Sequence, residues 1–228
     1  MTKGNKYLVL NLKTYPESTG ARAVGLAKMV EAILGTEKPK GIEVILAATA
    51  LDLSRVAEQS KHAKVFGQHV DPIVPGKNTG FVSPENLKEA GAVGTILNHA
   101  EHQIPLEQVK VTLGRCRQAG LTTIVCVKNT EEAVEVAKLG PDFISIEFPE
   151  LIGTLKSVSV LKPKFVSDAA EAVKRVSKVP VLCGAGVAGG KDVRAAIELG
   201  TDGVLLAAYF DLATDKKAAL LDLLSGFQ

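Results

Sequence analysis

The sequence contains no tryptophan and only three cysteines among its 228 residues. The cysteines, Cys116, Cys126 and Cys183, form no CxxC pair and have no histidine at a metal-ligand spacing, so we expect neither a metal site nor a cofactor. Cys126 and Cys183 lie within apolar runs typical of strands, where a free thiol usually acts as a small core residue. This cysteine usage predicts a reducing compartment, the cytoplasm.

An excess of charge of one sign is also missing. The chain has 27 Lys and Arg against 25 Asp and Glu, a net charge of +2, whereas a protein that binds nucleic acid through its phosphates normally has a stronger basic excess. No apolar run approaches the roughly 18 residues of a membrane span, and the first residues lack a small-residue cleavage site. We therefore expect no nucleic-acid partner, no membrane association and no export.

Short β-rich runs recur along the chain, and its hydrophobic fraction of 46% is sufficient for a large core. Most of these runs are almost continuously apolar, which is typical of parallel strands covered on both faces. There are eight of them: YLVLNLK, EVILAA, KVFGQHV, GTILNHA, TTIVCVK, FISIEF, VPVLCGAG and GVLLAAY.

Between these runs lie amphipathic stretches with helical spacing, such as LEQVKVTLGRCRQA and KDVRAAIEL. Several end in a glycine before the next strand, and Gly91, Gly120, Gly140 and Gly200 suit the left-handed position that follows a helix. Eight such units predict a single (β/α)8 barrel over residues 1–228. An open doubly wound sheet is the alternative, but the first turn has no GxGxxG.

In such a barrel the active site lies at the carboxyl ends of the strands. Strand one ends with Asn11 and Lys13, which alternation places on one face; strand four ends with His99 and strand six with Glu147. A carboxylate that takes a proton, with a lysine and a histidine that stabilise charge on an oxygen, forms a proton-transfer site for a small-molecule substrate.

Each of these residues also has a simpler interpretation. Taken alone, Lys13 could be a solvated lysine at a strand end, and His99 could be a hydrogen-bonded histidine of the core. Glu147 is harder to explain structurally, because a carboxylate in an apolar strand must be paired or neutralised. Their occurrence together at strand ends favours function.

The segments NLKTYPESTG, QHVDPIVPGKNTG, EAGAVGTILNHAEH, EFPELIGT, CGAGV and IELGTDGVLLA resemble the short archaeal type of triosephosphate isomerase over nearly the whole chain. The resemblance implies that Asn11 and Lys13 bind substrate, that His99 is the electrophile and that Glu147 is the base. It implies a closing lid over 149–154. It also implies that the loop PIVPGKNTG docks into a partner subunit of a homodimer or homotetramer.

The sequence departs from this family where the family binds the substrate phosphate. Leu155 stands where the family has a lid glycine, and Ala188 stands where it has a Ser or Thr. Ala208 and Tyr209 replace a Ser-Gly pair. Further changes are Phe148, Phe81 and Ala100. The substrate-binding candidates are Phe148, Gly153, Leu155, Gly186, Ala188, Ala208 and Tyr209. A ring in place of a bare glycine predicts loss of charge-assisted phosphate contacts and triosephosphate turnover impaired by at least roughly a hundredfold.

Three functions remain open on this basis. In the first, Glu147 deprotonates a non-phosphorylated apolar substrate in a Kemp-type elimination, on a scaffold repurposed naturally or by engineering, and the apolar side chain of Phe148 helps to raise the pKa of Glu147. In the second, the chain is an authentic triosephosphate isomerase with a rearranged phosphate site, and the changes are ordinary drift. In the third, it binds an apolar ligand without turnover.

Overall fold

The computed structural model describes residues 5–36, 40–148 and 162–228, in which eight parallel strands close into a barrel. The strands are β1 (Lys6–Asn11), β2 (Ile42–Ala48), β3 (Lys64–Gly67), β4 (Gly94–Leu97), β5 (Thr122–Val127), β6 (Phe143–Ile146), β7 (Val181–Cys183) and β8 (Gly203–Leu206). Each strand pairs with the next in chain order, and β8 pairs with β1. The prediction of a (β/α)8 barrel is confirmed.

Helices connect the strands around the outside of the barrel. In the described ranges they are α1 (Ala21–Thr36), α2 (Leu53–Ala57), α3 (Pro84–Glu89), α4 (Leu106–Ala119), α5 (Thr130–Lys138), α6 (Pro163–Val176), α7 (Gly190–Glu198), α8 (Ala208–Asp211) and α9 (Lys216–Ser225). No helix in these ranges is long and apolar enough to cross a membrane.

Alternation along the strands divides the core into two layers. The smaller layer fills the barrel and contains Val9, Ile45, Ala47, Phe66, Ile96, Ile124, Cys126, Phe143, Leu182 and Leu205. The larger layer, including Leu8 and Leu10 on either side of Val9, packs between strands and helices. Because both faces of each strand are covered, the strands can be almost continuously apolar.

The glycines expected after helices adopt the conformation that this role requires. Gly91, Gly120, Gly140 and Gly200 have φ angles of 92°, 69°, 71° and 92°. A residue with a Cβ would be strained at these positions, so each glycine allows its helix to end and the chain to enter the next strand.

Candidate active site

The structure brings together the four polar residues that the sequence placed at strand ends. Asn11 ends β1, and Lys13 lies two residues further on. Glu147 comes directly after β6, and His99 is the second residue after β4. Asn11, His99 and Glu147 are buried, with exposed fractions of 4%, 8% and 1%. All four therefore lie at the carboxyl-end mouth of the barrel.

Lys13 reaches this mouth by a turn and not by strand alternation, which corrects the expectation from the sequence. β1 ends at Asn11, and Lys13 has a positive φ of 46°. The side-chain oxygen of Asn11 accepts a hydrogen bond of 3.1 Å from the Lys13 backbone N–H. Asn11 thus supports a backbone conformation that costs a non-glycine residue energy, as residues at functional sites often do.

Asn98 has the same kind of backbone, with a φ of 56°, and sequence reasoning gave it no role. Its amide donates to the carbonyl of Cys126 at 2.9 Å and to Glu132 at 3.2 Å, and its oxygen accepts from the N–H of Ile104 at 3.0 Å. These bonds hold the turn that presents His99. An asparagine directly before the candidate histidine was the available signal, since Asn tolerates this conformation.

Glu101 is a second residue that the sequence analysis did not assign. Its carboxylate lies 2.6 Å from the Nζ of Lys13, whose side chain is only 12% exposed. This ion pair keeps the lysine at the mouth of the barrel, close to His99 and Glu147.

His99 is oriented as a neutral donor. Burial, followed by the charge of Lys13, lowers the pKa of His99 to about 4. The backbone N–H of Glu101 donates to Nδ1 at 3.2 Å, so the neutral ring carries its proton on Nε2. That nitrogen lies 3.5 Å from Oε1 of Glu147.

The two carboxylate oxygens of Glu147 differ in the hydrogen bonds that they accept from the described residues. The backbone N–H of Ala100 donates to Oε2 at 3.1 Å, whereas Oε1 has no hydrogen-bond partner among the described residues. Burial raises the pKa of Glu147 to about 7, against the opposing effects of Cys126, Ala100 and Lys13. A carboxylate with a pKa near neutrality and a free lone pair is suited to accept a proton.

The next strand leaves room for this carboxylate because Gly184 follows β7. A Cβ on Gly184 would lie 2.9 Å from Cγ of Glu147 and even closer to Oγ of Ser145. This glycine lies within the segment CGAGV, and nothing in the sequence around it indicates its contact with Glu147.

A small cavity of about 30 Å³, open to solvent, adjoins Lys13 and His99. The rest of its lining comes from two segments: residues 184–187, which follow β7, and residues 205–209, which run from the end of β8 into α8. Gly186, with a φ of 64°, and Ala208 are among them, as the sequence analysis expected for a substrate pocket.

Within the described residues, the backbone N–H groups of Gly186, Val187, Ala207 and Ala208 donate no hydrogen bond. These donors belong to the main chain, so the changes of side chain at positions such as Ala208 do not remove them.

Tyr209 does not occupy the cavity as expected. Its hydroxyl donates to Oδ2 of Asp222 in α9 at 2.8 Å, and its ring lies beside Gly189 at the start of α7. The ring therefore extends along the outer helices, where a hydrogen bond and apolar contacts are available to it, although Tyr209 still forms part of the cavity wall.

Other substitutions expected at the pocket also lie elsewhere. Phe148 packs edge-on against Phe165 of α6, with ring centroids 5.3 Å apart, and does not line this cavity. The N–H of Ala188 donates to Asp192 at 2.7 Å in the turn before α7, and Phe81 is 59% exposed in the loop before α3. Among the described residues, Phe148, Ala188 and Phe81 do not line this cavity, whereas Tyr209 does.

Two of the substrate-binding candidates, Gly153 and Leu155, lie outside the described residues, as does the expected lid over 149–154. Within the part of the chain that the structure covers, no three His, Cys, Asp or Glu side chains are grouped so as to hold a metal ion.

Comparison with known proteins extends this picture to the whole chain. The family model described as triosephosphate isomerase matches residues 6–222. A protein named triosephosphate isomerase from Methanosarcina barkeri is 43% identical over 222 residues, covering 97% of this chain and 98% of its own. Those from Methanobacterium bryantii and Methanothermus fervidus are 42% and 44% identical over 224 and 219 residues, covering 98% and 96% of this chain and 97% of their own. With a closed barrel, a buried glutamate and a neutral histidine at its mouth, this chain belongs to the triosephosphate isomerase family.

Proposed function

We propose that the protein interconverts glyceraldehyde 3-phosphate and dihydroxyacetone phosphate, with Glu147 as the base. The observation that carries the proposal is Oε1 of Glu147, which has no hydrogen-bond partner among the described residues and lies 3.5 Å from Nε2 of His99. His99 in turn lines the cavity together with Lys13. The names of the relatives support the same reaction. The Kemp-type interpretation has no such support from the relatives, and Phe148 does not line the cavity.

The chemistry follows from the positions of these groups. Oε1 of Glu147 removes a proton from the carbon next to the substrate carbonyl, and the Nε2–H of His99 donates to the carbonyl oxygen as it gains charge. Lys13 stabilises the negative charge of the resulting enediolate. His99 gives its Nε2 proton to the former carbonyl oxygen and takes up the proton of the neighbouring hydroxyl, while Glu147 returns its proton to the former carbonyl carbon. A neutral histidine matches this role, because its proton is held in place before the reaction begins.

The phosphate binds in the cavity through backbone N–H groups in this proposal. Gly186 and Val187 offer donors from one wall, and Ala207 and Ala208 from the other. A change of side chain leaves these backbone donors in place. We therefore no longer expect triosephosphate turnover to be impaired a hundredfold, and expect the turnover of an ordinary isomerase.

Wild-type protein is therefore expected to turn over glyceraldehyde 3-phosphate, with kcat/KM falling as the pH drops below about 7. The base must be ionised, and burial raises the pKa of Glu147 to about 7, so the active fraction decreases on the acid side. A coupled assay between pH 5 and 9 measures this limb. Carboxyl 13C NMR, with Glu147→Gln assigning the signal, reports the same pKa without substrate.

Two controls separate the alternatives. A benzisoxazole tests Kemp elimination, and its kcat/KM should lie several orders of magnitude below that of the phosphorylated substrate. Inorganic phosphate should inhibit competitively. A higher kcat/KM for the benzisoxazole, or no turnover of the triosephosphates, would contradict the proposed reaction.

We also propose a homodimer or homotetramer that forms through the loop 72–80. Asp71 closes the base of this loop by two hydrogen bonds of 2.8 Å to Val82, and Val74 is 63% exposed near its middle. An exposed apolar side chain on a projecting loop favours burial in a second copy. Light scattering at micromolar concentration should give two or four times the mass of one chain, and Val74→Asp should lower it; a monomeric wild type would contradict this.

A further inference from the structure

One carboxylate oxygen of Asp222, in α9, accepts hydrogen bonds from two separate parts of the chain. The backbone N–H of Gly190, the first residue of α7, donates to Oδ2 at 2.8 Å. The hydroxyl of Tyr209, in α8, donates to the same oxygen, also at 2.8 Å. Asp222 therefore links the start of α7 to α8.

Close packing holds Asp222 in this position. A Cβ on Gly189 would lie 3.0 Å from Oδ2 of Asp222, and a Cβ on Gly190 would collide with its backbone carbonyl. Gly189 also has a φ of 144°, which disfavours other residues. Two consecutive glycines let α9 approach the start of α7 closely enough for the shared bond.

The two linked segments continue directly into the two walls of the cavity. Val187 precedes Gly190 by three residues, and Ala208 comes immediately before Tyr209. Oδ2 of Asp222 therefore links the two segments whose backbone N–H groups are proposed to bind phosphate, and it does so on the side away from the cavity. Movement at this link changes the distance between the two sets of donors.

We infer that Tyr209 is a positioning residue which, through Asp222, sets the spacing of the two cavity walls and hence the affinity for the phosphate end of the substrate. This inference rests on the proposed function. Tyr209 forms part of the cavity wall, but its hydroxyl is already bonded to Asp222 and so acts on the wall and not on the ligand. Burial and the bond to Asp222 raise the pKa of Tyr209, so the hydroxyl stays protonated and remains the donor.

Tyr209→Phe removes the hydroxyl and keeps the ring. We expect KM for glyceraldehyde 3-phosphate and the Kd of inorganic phosphate, measured by titration calorimetry, to rise about threefold to tenfold, the range that one lost hydrogen bond produces. The value of kcat should change less than about twofold, as for a loss of uniform binding. Tyr7→Phe removes a hydroxyl at the amino end of β1, far from the cavity, and should leave both constants unchanged.

Variants of Asp222 test the link from its other side. Asp222→Asn keeps an oxygen acceptor without the charge and should stay close to wild type in phosphate affinity. Asp222→Ala loses both bonds and should weaken phosphate binding more than Tyr209→Phe does. Adding Tyr209→Phe to Asp222→Ala should then cause no further loss, because the two residues act through one contact.

The outcomes are separable. If Tyr209→Phe lowers only the Tm and leaves KM and the phosphate Kd unchanged, the residue is merely structural and the inference is overturned; this variant decides the matter even if Asp222→Ala does not fold. Weaker phosphate binding in Tyr209→Phe, in a protein that lacks isomerase activity, would overturn the proposed reaction and support the positioning role. A wild type that does not bind phosphate would overturn both.

Discussion

Glu147→Gln is expected to lower kcat for glyceraldehyde 3-phosphate by roughly 10²–10⁴-fold, the usual contribution of a general base. Glutamine has almost the volume of glutamate and still accepts the hydrogen bond from Ala100, but it cannot take a proton at the position of Oε1. The substrate should still bind, so KM should change far less than kcat. Steady-state kinetics of the purified variant measure both constants.

Glu43→Gln is the matched control for this variant. Glu43 lies in β2 near the amino end of the barrel, where its carboxylate pairs with Lys64 at 2.8 Å, so the same change of side chain falls far from the mouth. Its kcat should equal that of wild type. If Glu147→Gln retains kcat within tenfold of wild type, the role of this residue as the base is wrong.

Asp211→Asn should stabilise the protein at pH 8 by on the order of 2–4 kcal/mol and have almost no effect near pH 4. Asp211 is fully buried, and neither carboxylate oxygen has a hydrogen-bond partner among the described residues. The nearby hydroxyl of Ser18 donates to the carbonyl of Leu12 at 2.7 Å, and Nζ of Lys216 donates to the backbone carbonyl of Asp211. Burying a charge without a partner lowers the free energy of unfolding.

The sign of this effect follows from the direction of the pKa shift. Burial raises the pKa of Asp211 from 3.8 to about 7; the nearby Ser18 hydroxyl, Lys216 and Lys13 oppose the rise, and Glu17 adds to it. The folded protein thus holds this proton more tightly than the unfolded chain. The stability that the neutral acid provides is complete below about pH 4 and is lost as the pH rises to 7.

Urea unfolding of both proteins at pH 4.5 and pH 8 measures the difference. Glu147 shows a shift in the same direction, but it is present in both proteins and cancels in the comparison. A difference in unfolding free energy that is equal at both pH values would show that Asp211 is ionised throughout, or that its charge has a partner.

Much of the fold could be predicted from local pattern alone. Eight apolar runs and the glycines after helices determine where strands begin and helices end, because burial on both faces and a positive φ each demand particular residue types. The barrel then follows from the repetition of the unit. The positions of Asn11, His99 and Glu147 at strand ends could be derived in the same way, since parallel strands present their carboxyl ends at one mouth.

The direction of individual side chains could not be derived from the sequence. A tyrosine in place of a glycine indicated a blocked cavity, but the bond from Tyr209 to Asp222 joins residues 13 positions apart, and only the packing of α9 makes it available. Phe148 packs against Phe165 of α6, and this contact too depends on how distant segments pack. The substitutions Tyr209 and Phe148 therefore predicted a new substrate, and the contacts of their side chains in the structure give that prediction no support.

The sequence by itself determined the barrel, the family and the residue types at its mouth, because periodicity and strand order depend on local chemistry. Only the tertiary structure decided what those residues can do. Lys13 reaches the mouth through a turn that Asn11 supports, and the pKa values of His99 and Glu147 move in opposite directions because both side chains are buried together. Burial and the contacts between distant segments control orientation and charge state, and neither is encoded in the neighbours of a residue along the chain.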